Sequence, residues 1–113
     1  MDVEELRVFC LSLPNTSEDM PFDDDVLVFR VHGKIFALAS VSKNDSVNLK
    51  CNPERAIDLR EEFQAVQPGY HMNKKHWNTV FFNQDLSDVE LRKLVQHSYD
   101  LIFSALPKKL REL

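Results

Sequence analysis

Residues 69–80 read GYHMNKKHWNTV and hold two histidines, two lysines, two asparagines, a tyrosine and the chain's only tryptophan. Three chemistries could use such a stretch. A metal needs ligands that converge on one point, and His71 and His76 stand five positions apart, off the helical i, i+4 repeat and without a carboxylate or cysteine close by. That spacing argues against a metal, and no cofactor is expected. Nucleic acid needs cations for phosphates and aromatic faces for bases. Tyr70, His71, Asn73, Lys74, Lys75, His76, Trp77 and Asn78 supply both, and Arg30, Lys34 and Lys50 could extend the same positive surface. The third use is structural: Trp77 anchors the last strand in the core, Tyr70 packs beneath a turn, and the lysines are solvated loop residues.

Other chemistries find less support. No G-x-S-x-G elbow, catalytic-cysteine signature or glycine-rich phosphate loop occurs, and the two glycines, Gly33 and Gly69, both sit at expected turns. Cys10 and Cys51 lack zinc or redox spacing and read as small buried apolar residues. The expectation is a protein that is not an enzyme.

The chain is 113 residues long, 43% hydrophobic and 28% charged, which fits one globular domain spanning 1–113. No apolar run reaches the ~20 residues of a membrane span, so no membrane partner is expected. The opening MDVEELRVFC is acidic where a signal peptide would be basic, and cytoplasmic location is the expectation. Net charge is −4, unevenly spread: residues 1–25 hold eight acids against Arg7, while no acid occurs between Glu62 and Asp85.

These side chains must be positioned by secondary structure. Asp2 with Glu5 forms a capping box, and Val3, Leu6, Phe9, Cys10 and Leu13 recur at helical spacing until Pro14. Residues 15–25, NTSEDMPFDDD, read as a polar loop. Val26 to Val31 alternates as a strand, His32-Gly33 turns it, and Lys34 to Ala39 returns. SKNDS, residues 42–46, turns into a third strand, Val47 to Cys51. Asn52-Pro53 opens a second helix, with Ala56, Leu59, Arg60 and Phe63 on one face and Arg60 at its margin. A short extended piece, Ala65 to Gln67, precedes the Pro68-Gly69 turn, and Trp77 to Asn83 reads as the last strand. Ser87 and Glu90 cap a final helix with Leu91, Leu94, Val95, Ser98, Leu101, Ile102 and Ala105 on its stripe, and LPKKLREL trails as a basic tail. The order α-β-β-β-α-β-β-α predicts an α+β two-layer sandwich, an antiparallel sheet with helices on one face. Its other face is then partly open, with Arg30 and Lys50 pointing outward beside His32 and Lys34.

PGYHMNKKHWNTV, residues 68–80, resembles the signature segment of the MmcQ/YjbR family of small bacterial proteins. LSLP (11–14), PFDDDVLVFRVHGKIFAL (21–38), VNLKCNPERAIDLRE (47–61) and the C-terminal SYDLIFSALPKKLR fit the same family in the same order. The resemblance implies a two-layer fold akin to secretion chaperones and frataxin-like proteins, with the element order derived above. It also implies DNA binding through a double-wing arrangement, with Lys74, Lys75, His76, Trp77 and Asn78 as first contacts. The acidic DDD of residues 23–25 would weaken phosphate attraction beside such a surface. The leading expectation is a non-enzymatic DNA-binding protein, with Lys74, Lys75, Lys50, Lys34 and Arg30 on phosphate and Trp77, Tyr70 and His76 stacking. The alternative is a protein- or peptide-interaction module on the open sheet face, and a third reading, by fold analogy, is cation handling. A monomer or weak dimer is expected.

Overall fold

The computed structural model describes residues 1–112. Helix α1 (Val3–Ser12) begins where the Asp2 side chain accepts the Glu5 backbone N–H at 2.8 Å, and its spacing buries Val3, Leu6 and Cys10. The chain then forms a strand that its local pattern does not announce. β1 (Thr16–Asp19), sequence TSED, lies inside the stretch expected to be loop. Pairing makes it, not propensity. It runs antiparallel to β2 (Val26–Val31), the Arg7 guanidinium of α1 grips Glu18 at 2.6 and 2.7 Å, and Arg30 of β2 donates to Asp19 at 2.9 Å.

β2 and β3 (Lys34–Ser40) form the expected hairpin. His32 and Gly33 have φ of 46° and 80°, the paired positive values that a two-residue hairpin turn needs. β4 (Ser46–Lys50) follows, and Asn52 accepts the N–H groups of Glu54 and Arg55 to open α2 (Pro53–Glu62). β5 (Val66–Pro68) and β6 (Trp77–Phe81) complete the strands. β6 stops short of the expected Asn83 because the Phe82 N–H leaves the ladder for the Asp45 carbonyl and Asn83 turns to φ 58°. Ser87 caps α3 (Asp88–Ser104), and the single-turn α4 (Lys108–Arg111) occupies part of the expected basic tail.

The sheet order is β1-β2-β3-β4-β6-β5, every neighbour antiparallel. The fold is therefore the expected α+β sandwich, widened by β1 to six strands. One sheet face meets α1 and α3 in the core, where Phe29, Phe36, Leu49, Val80 and Val95 are fully buried, and Leu59 and Phe63 pack against its side. On α3 the expected Leu91, Leu94, Val95 and Ser98 are buried, but Tyr99 is the fifth, where Leu101 and Ala105 were expected. Its ring meets Phe36 edge-on at 5.4 Å and its hydroxyl donates to the Pro14 carbonyl at 2.7 Å, so both its apolar and polar parts are satisfied.

The middle of the sheet is its narrowest joint. β3 and β4 pair only as Ala37–Leu49 and Leu38–Asn48. At the next position, Phe36 opposite Lys50, the buried Ser98 hydroxyl enters from α3, donating to the Phe36 carbonyl at 2.6 Å and accepting the Lys50 N–H at 2.9 Å. Ser98→Ala strands both backbone groups, and urea unfolding should show a loss of about 2–3 kcal/mol with an unchanged m-value. An unaltered midpoint would mean that the ladder closes without the hydroxyl.

A second consequence concerns pH. His97 Nε2 accepts the Asn52 N–H at 3.3 Å, and burial, aided by Arg55, holds this imidazole below its ordinary 6.5. The unfolded chain thus binds more protons just below pH 6.5, and stability falls as pH drops through that value. Asp85 is lowered by accepting the Ala65 and Gln64 N–H groups, so its contribution is present above its ordinary 3.8 and is lost as pH falls further. Melting temperature against pH should show both losses, and His97→Gln should remove only the upper one.

Candidate functional site

The sheet face turned away from the helices carries a cleft of about 550 Å3. Its floor crosses the narrow joint. Val26, Ile35 and Leu38 come from β2 and β3, and Asn48, Thr79 and Phe81 from β4 and β6. The pleat dictates this set, since the register aligns Val28, Leu38, Asn48 and Thr79 in one row across four strands. Three loops make the walls: the connection after β1 with Phe22 and Asp25, the β3–β4 turn with Lys43 and Asp45, and the β5–β6 loop with Tyr70, His71 and Met72.

The β5–β6 loop and the start of β6 make up the GYHMNKKHWNTV stretch, and most of its polar groups hold it in place. Gly69 N–H donates to the Trp77 carbonyl at 2.9 Å, and Tyr70 N–H donates to Thr79 Oγ1 at 3.0 Å. The Thr79 hydroxyl in turn donates to Asn48 Oδ1. From α2, the Arg60 guanidinium donates to Asn78 Oδ1 at 2.7 Å, to the Trp77 carbonyl at 3.3 Å and to the Lys74 carbonyl. Lys74 Nζ reaches back to the Gly69 carbonyl at 3.1 Å. The loop is thereby folded over β6, with Tyr70 and His71 rings 4.0 Å apart at the cleft.

The expected site residues separate accordingly. Tyr70, His71 and Trp77 line the cleft. Lys74 is exposed but spends its ammonium on the Gly69 carbonyl, and Lys75 is exposed. His76 is half-buried and its carbonyl accepts the Cys51 N–H at 2.8 Å. Asn78 is only 2% exposed and bound to Arg60, which takes it out of any surface. Arg30 pairs with Asp19 and the Gly33 carbonyl, Lys34 is exposed at the hairpin end, and Lys50 is half-buried opposite Trp77. The expected continuous basic surface is not assembled: β3 lies between Arg30 on β2 and Lys50 on β4, and Arg30 and Lys74 are already paired within the chain.

The cleft draws on residues that the sequence reading passed over, among them Phe22, Asp25, Lys43, Asp45, Asn48 and Met72. Alternation in β2 to β4 was a usable signal for the floor. The loops were not legible, because only tertiary contact brings them together. Asp25 accepts the Ser40 hydroxyl at 2.6 Å and the Ser42 N–H at 2.8 Å, and these bonds hold its carboxyl below the usual range. It staples the β3–β4 turn to β2. Lys43 Nζ lies 5.7 Å from the centre of the Tyr70 ring, facing it across the mouth. Both cysteines are buried as expected, and burial pushes the Cys10 thiol up to about 12. Among the described residues no three His, Cys, Asp or Glu side chains stand together as a metal set, and no helix is long and apolar enough to cross a membrane.

Known proteins share this architecture. Residues 11–101 match the family model described as YjbR. The chain is 32% identical over 114 residues to uncharacterized protein YjbR of Escherichia coli strain K12, covering 100% of this chain and 97% of that protein. It is 35% identical over 107 residues to uncharacterized protein YbdF of Escherichia coli O157:H7, covering 94% and 88%. The crystal structure of a Deinococcus radiodurans protein superposes with a TM-score of 0.91 at 37% identity, over 97% of this chain and 85% of that one. A Pseudomonas syringae crystal structure gives 0.77 at 28% identity, over 89% and 98%.

Gly69 tests the build of the loop. A Cβ there would stand 2.8 Å from the Trp77 carbonyl oxygen and 2.9 Å from Trp77 Cβ, and neither neighbour can retreat without leaving β6. Gly69→Ala should cost about 1–3 kcal/mol and shift the emission of Trp77, the chain's only tryptophan. Lys75→Ala should leave stability within about 0.5 kcal/mol.

Proposed function

The chain belongs to the YjbR family, and from that premise we propose that it is a binding protein, not an enzyme, which docks a segment of a partner protein or peptide in the open-face cleft. The carrying observation is the apolar mouth of that cleft. Phe22 and Tyr70, 65% and 62% exposed, line it. Met20 and Val41, also exposed large hydrophobics, stand in the same two loops as the lining residues Phe22 and Lys43. Apolar groups gathered around an apolar hollow mark a surface that a partner covers. The volume suits one or two inserted side chains.

Two features favour insertion over strand addition. The β1 edge carries Glu18 and Asp19, both engaged by arginines, and β5 has three residues and ends in Pro68. Such edges resist added strands. The reading of a non-enzyme draws on the polar side chains of the cleft: Asp25 is occupied by Ser40 and Ser42, and Thr79 by Tyr70 and Asn48. These bonds organise loops.

DNA binding is the second reading, favoured by the exposed Lys75 and by the solvent-facing Tyr70–His71 ring pair. Against it stand Asp25 and Asp45, which line the same cleft, the exposed Asp23 and Asp24 next to Asp25 in the chain, and the pairing of Arg30, Arg60 and Lys74 within the chain. Selection of peptides from a random display library, followed by Trp77 emission and calorimetry, separates the two. Selected peptides should bind at micromolar strength and lose about tenfold or more with Phe22→Ala or Tyr70→Ala. Duplex DNA binding that falls steeply with salt and vanishes in a Lys74/Lys75 double alanine variant, with no peptide selected, would overturn the docking reading.

A further inference from the structure

We infer that the docked segment is basic, and that a lysine or arginine of the partner takes the place over Tyr70 now held by the chain's own Lys43. This deepens the docking reading and rests on it.

Three observations lead there. The first is the aromatic character of the walls. Phe22, Tyr70, Trp77 and Phe81 line one cleft, and the faces of such rings attract cations as well as apolar groups. The second is Lys43. It comes from the flexible-chain class of side chains, sits exposed in the β3–β4 turn, and places its ammonium 5.7 Å from the Tyr70 centroid. An ammonium of this protein already marks where an incoming one is stabilised, and its own bond there is a single exposed contact that a partner can displace. The third is charge. Asp25 and Asp45 line the cleft, and the exposed Asp23 and Asp24 lie between the lining Phe22 and Asp25 in the chain. Asp25 is committed to Ser40 and Ser42, and Asp23 Oδ1 is committed to the Asp25 and Val26 N–H groups. Asp24 makes no side-chain hydrogen bond among the described residues, and Asp45 makes only one, from the neighbouring Ser46 hydroxyl at 3.0 Å.

Together these define a chemistry. Apolar side chains enter over Leu38 and Ile35, and a long aliphatic stem ending in a cation lies along Tyr70 with its charge toward the acids. An anionic segment would meet Asp24 and Asp45, with Lys43 held against the Tyr70 ring and Lys50 half-buried opposite Trp77. A phosphate backbone would meet the same field. The acidic loop of residues 23–25 thus acts as a selector, steering basic segments in and repelling anionic ones.

The test uses three blocked hexapeptides that alternate leucine with lysine, with glutamine or with glutamate, each titrated against the full chain by Trp77 emission. The lysine peptide should bind about tenfold more tightly than the glutamine peptide, and the glutamate peptide more weakly still. Lys43→Met should strengthen lysine-peptide binding a few-fold, roughly the size of one exposed cation–aromatic contact. Asp24→Asn with Asp45→Asn should bring lysine- and glutamine-peptide affinities to within about twofold of each other. Tyr70→Leu, at an exposed position, should weaken the lysine peptide selectively. Equal binding of all three peptides would overturn the basic preference and leave the cleft reading intact. No change in Trp77 emission with any of the three would overturn both.

Discussion

The sheet holds together across its middle by two registered residue pairs, Ala37–Leu49 and Leu38–Asn48, and by one serine hydroxyl. Everything distinctive about the molecule lies on either side of that joint. β1, β2 and β3 form one half, and β4, β6 and β5 the other. On the helix side Ser98 closes the gap where the ladder opens at Phe36 and Lys50. On the far side the cleft straddles the same joint and takes its floor from both halves. An unpaired carbonyl and N–H at that buried point would each carry a desolvation cost, so the hydroxyl is the condition for having a narrow joint at all.

The second constraint is the anchoring of the β5–β6 loop. Arg60 gathers the carbonyls of Lys74 and Trp77 and the side chain of Asn78 into one guanidinium. Its five donors in a fixed fork suit that task as a lysine would not. Gly69 adds the close approach to Trp77 that any side chain would block. The cost of this arrangement is that Asn73, Lys74 and Asn78 spend their polar groups within the chain. Its benefit is that Tyr70, His71 and Met72 are carried over the sheet as a wall. A stretch that looks like a cationic ligand site is therefore chiefly a device for holding aromatic and apolar side chains over a sheet.

Charge follows the same logic. The N-terminal acids look like a separate acidic segment in the chain, yet folding distributes them among different tasks. Glu18 and Asp19 turn a weak strand into a paired edge through Arg7 and Arg30. Asp25 ties the β3–β4 turn to β2, while Asp24 stays exposed in the connection that carries Phe22. The basic residues are consumed in these pairs or dispersed, which is why an expected positive surface resolves into isolated lysines. Surface pairs of this kind add little stability individually. Their effect here is positional: the arginine pairs hold the β1 edge, and the Asp25 bonds fix the β3–β4 turn that borders the cleft.

Helix starts, the β2–β3 turn and the inward faces of the strands were legible in the sequence, because each depends on residues within one turn of helix or one hairpin. Asp2, Asn52 and Ser87 accept the N–H groups that their spacing promised, and His32-Gly33 adopts the positive φ pair. The family resemblance was carried by the same local strings, and Tyr70, His71 and Trp77 reach the cleft as members of that signature. β1 was not legible, because TSED has no strand preference and exists only through partners on β2 and α1. Nor could the assignment of Arg60 to the loop be read, or the meeting of Phe22, Lys43 and Tyr70 from three separate loops. Those contacts join residues far apart in the chain, and their energy depends on which faces and edges the packed sheet brings within bonding distance. Sequence by itself determined the elements and their apolar faces, since short-range sterics and hydrogen bonding act within a few residues. Only the tertiary structure decided which side chains are consumed in holding the fold and which are left at the cleft, because that choice is made by desolvation and geometry across strands.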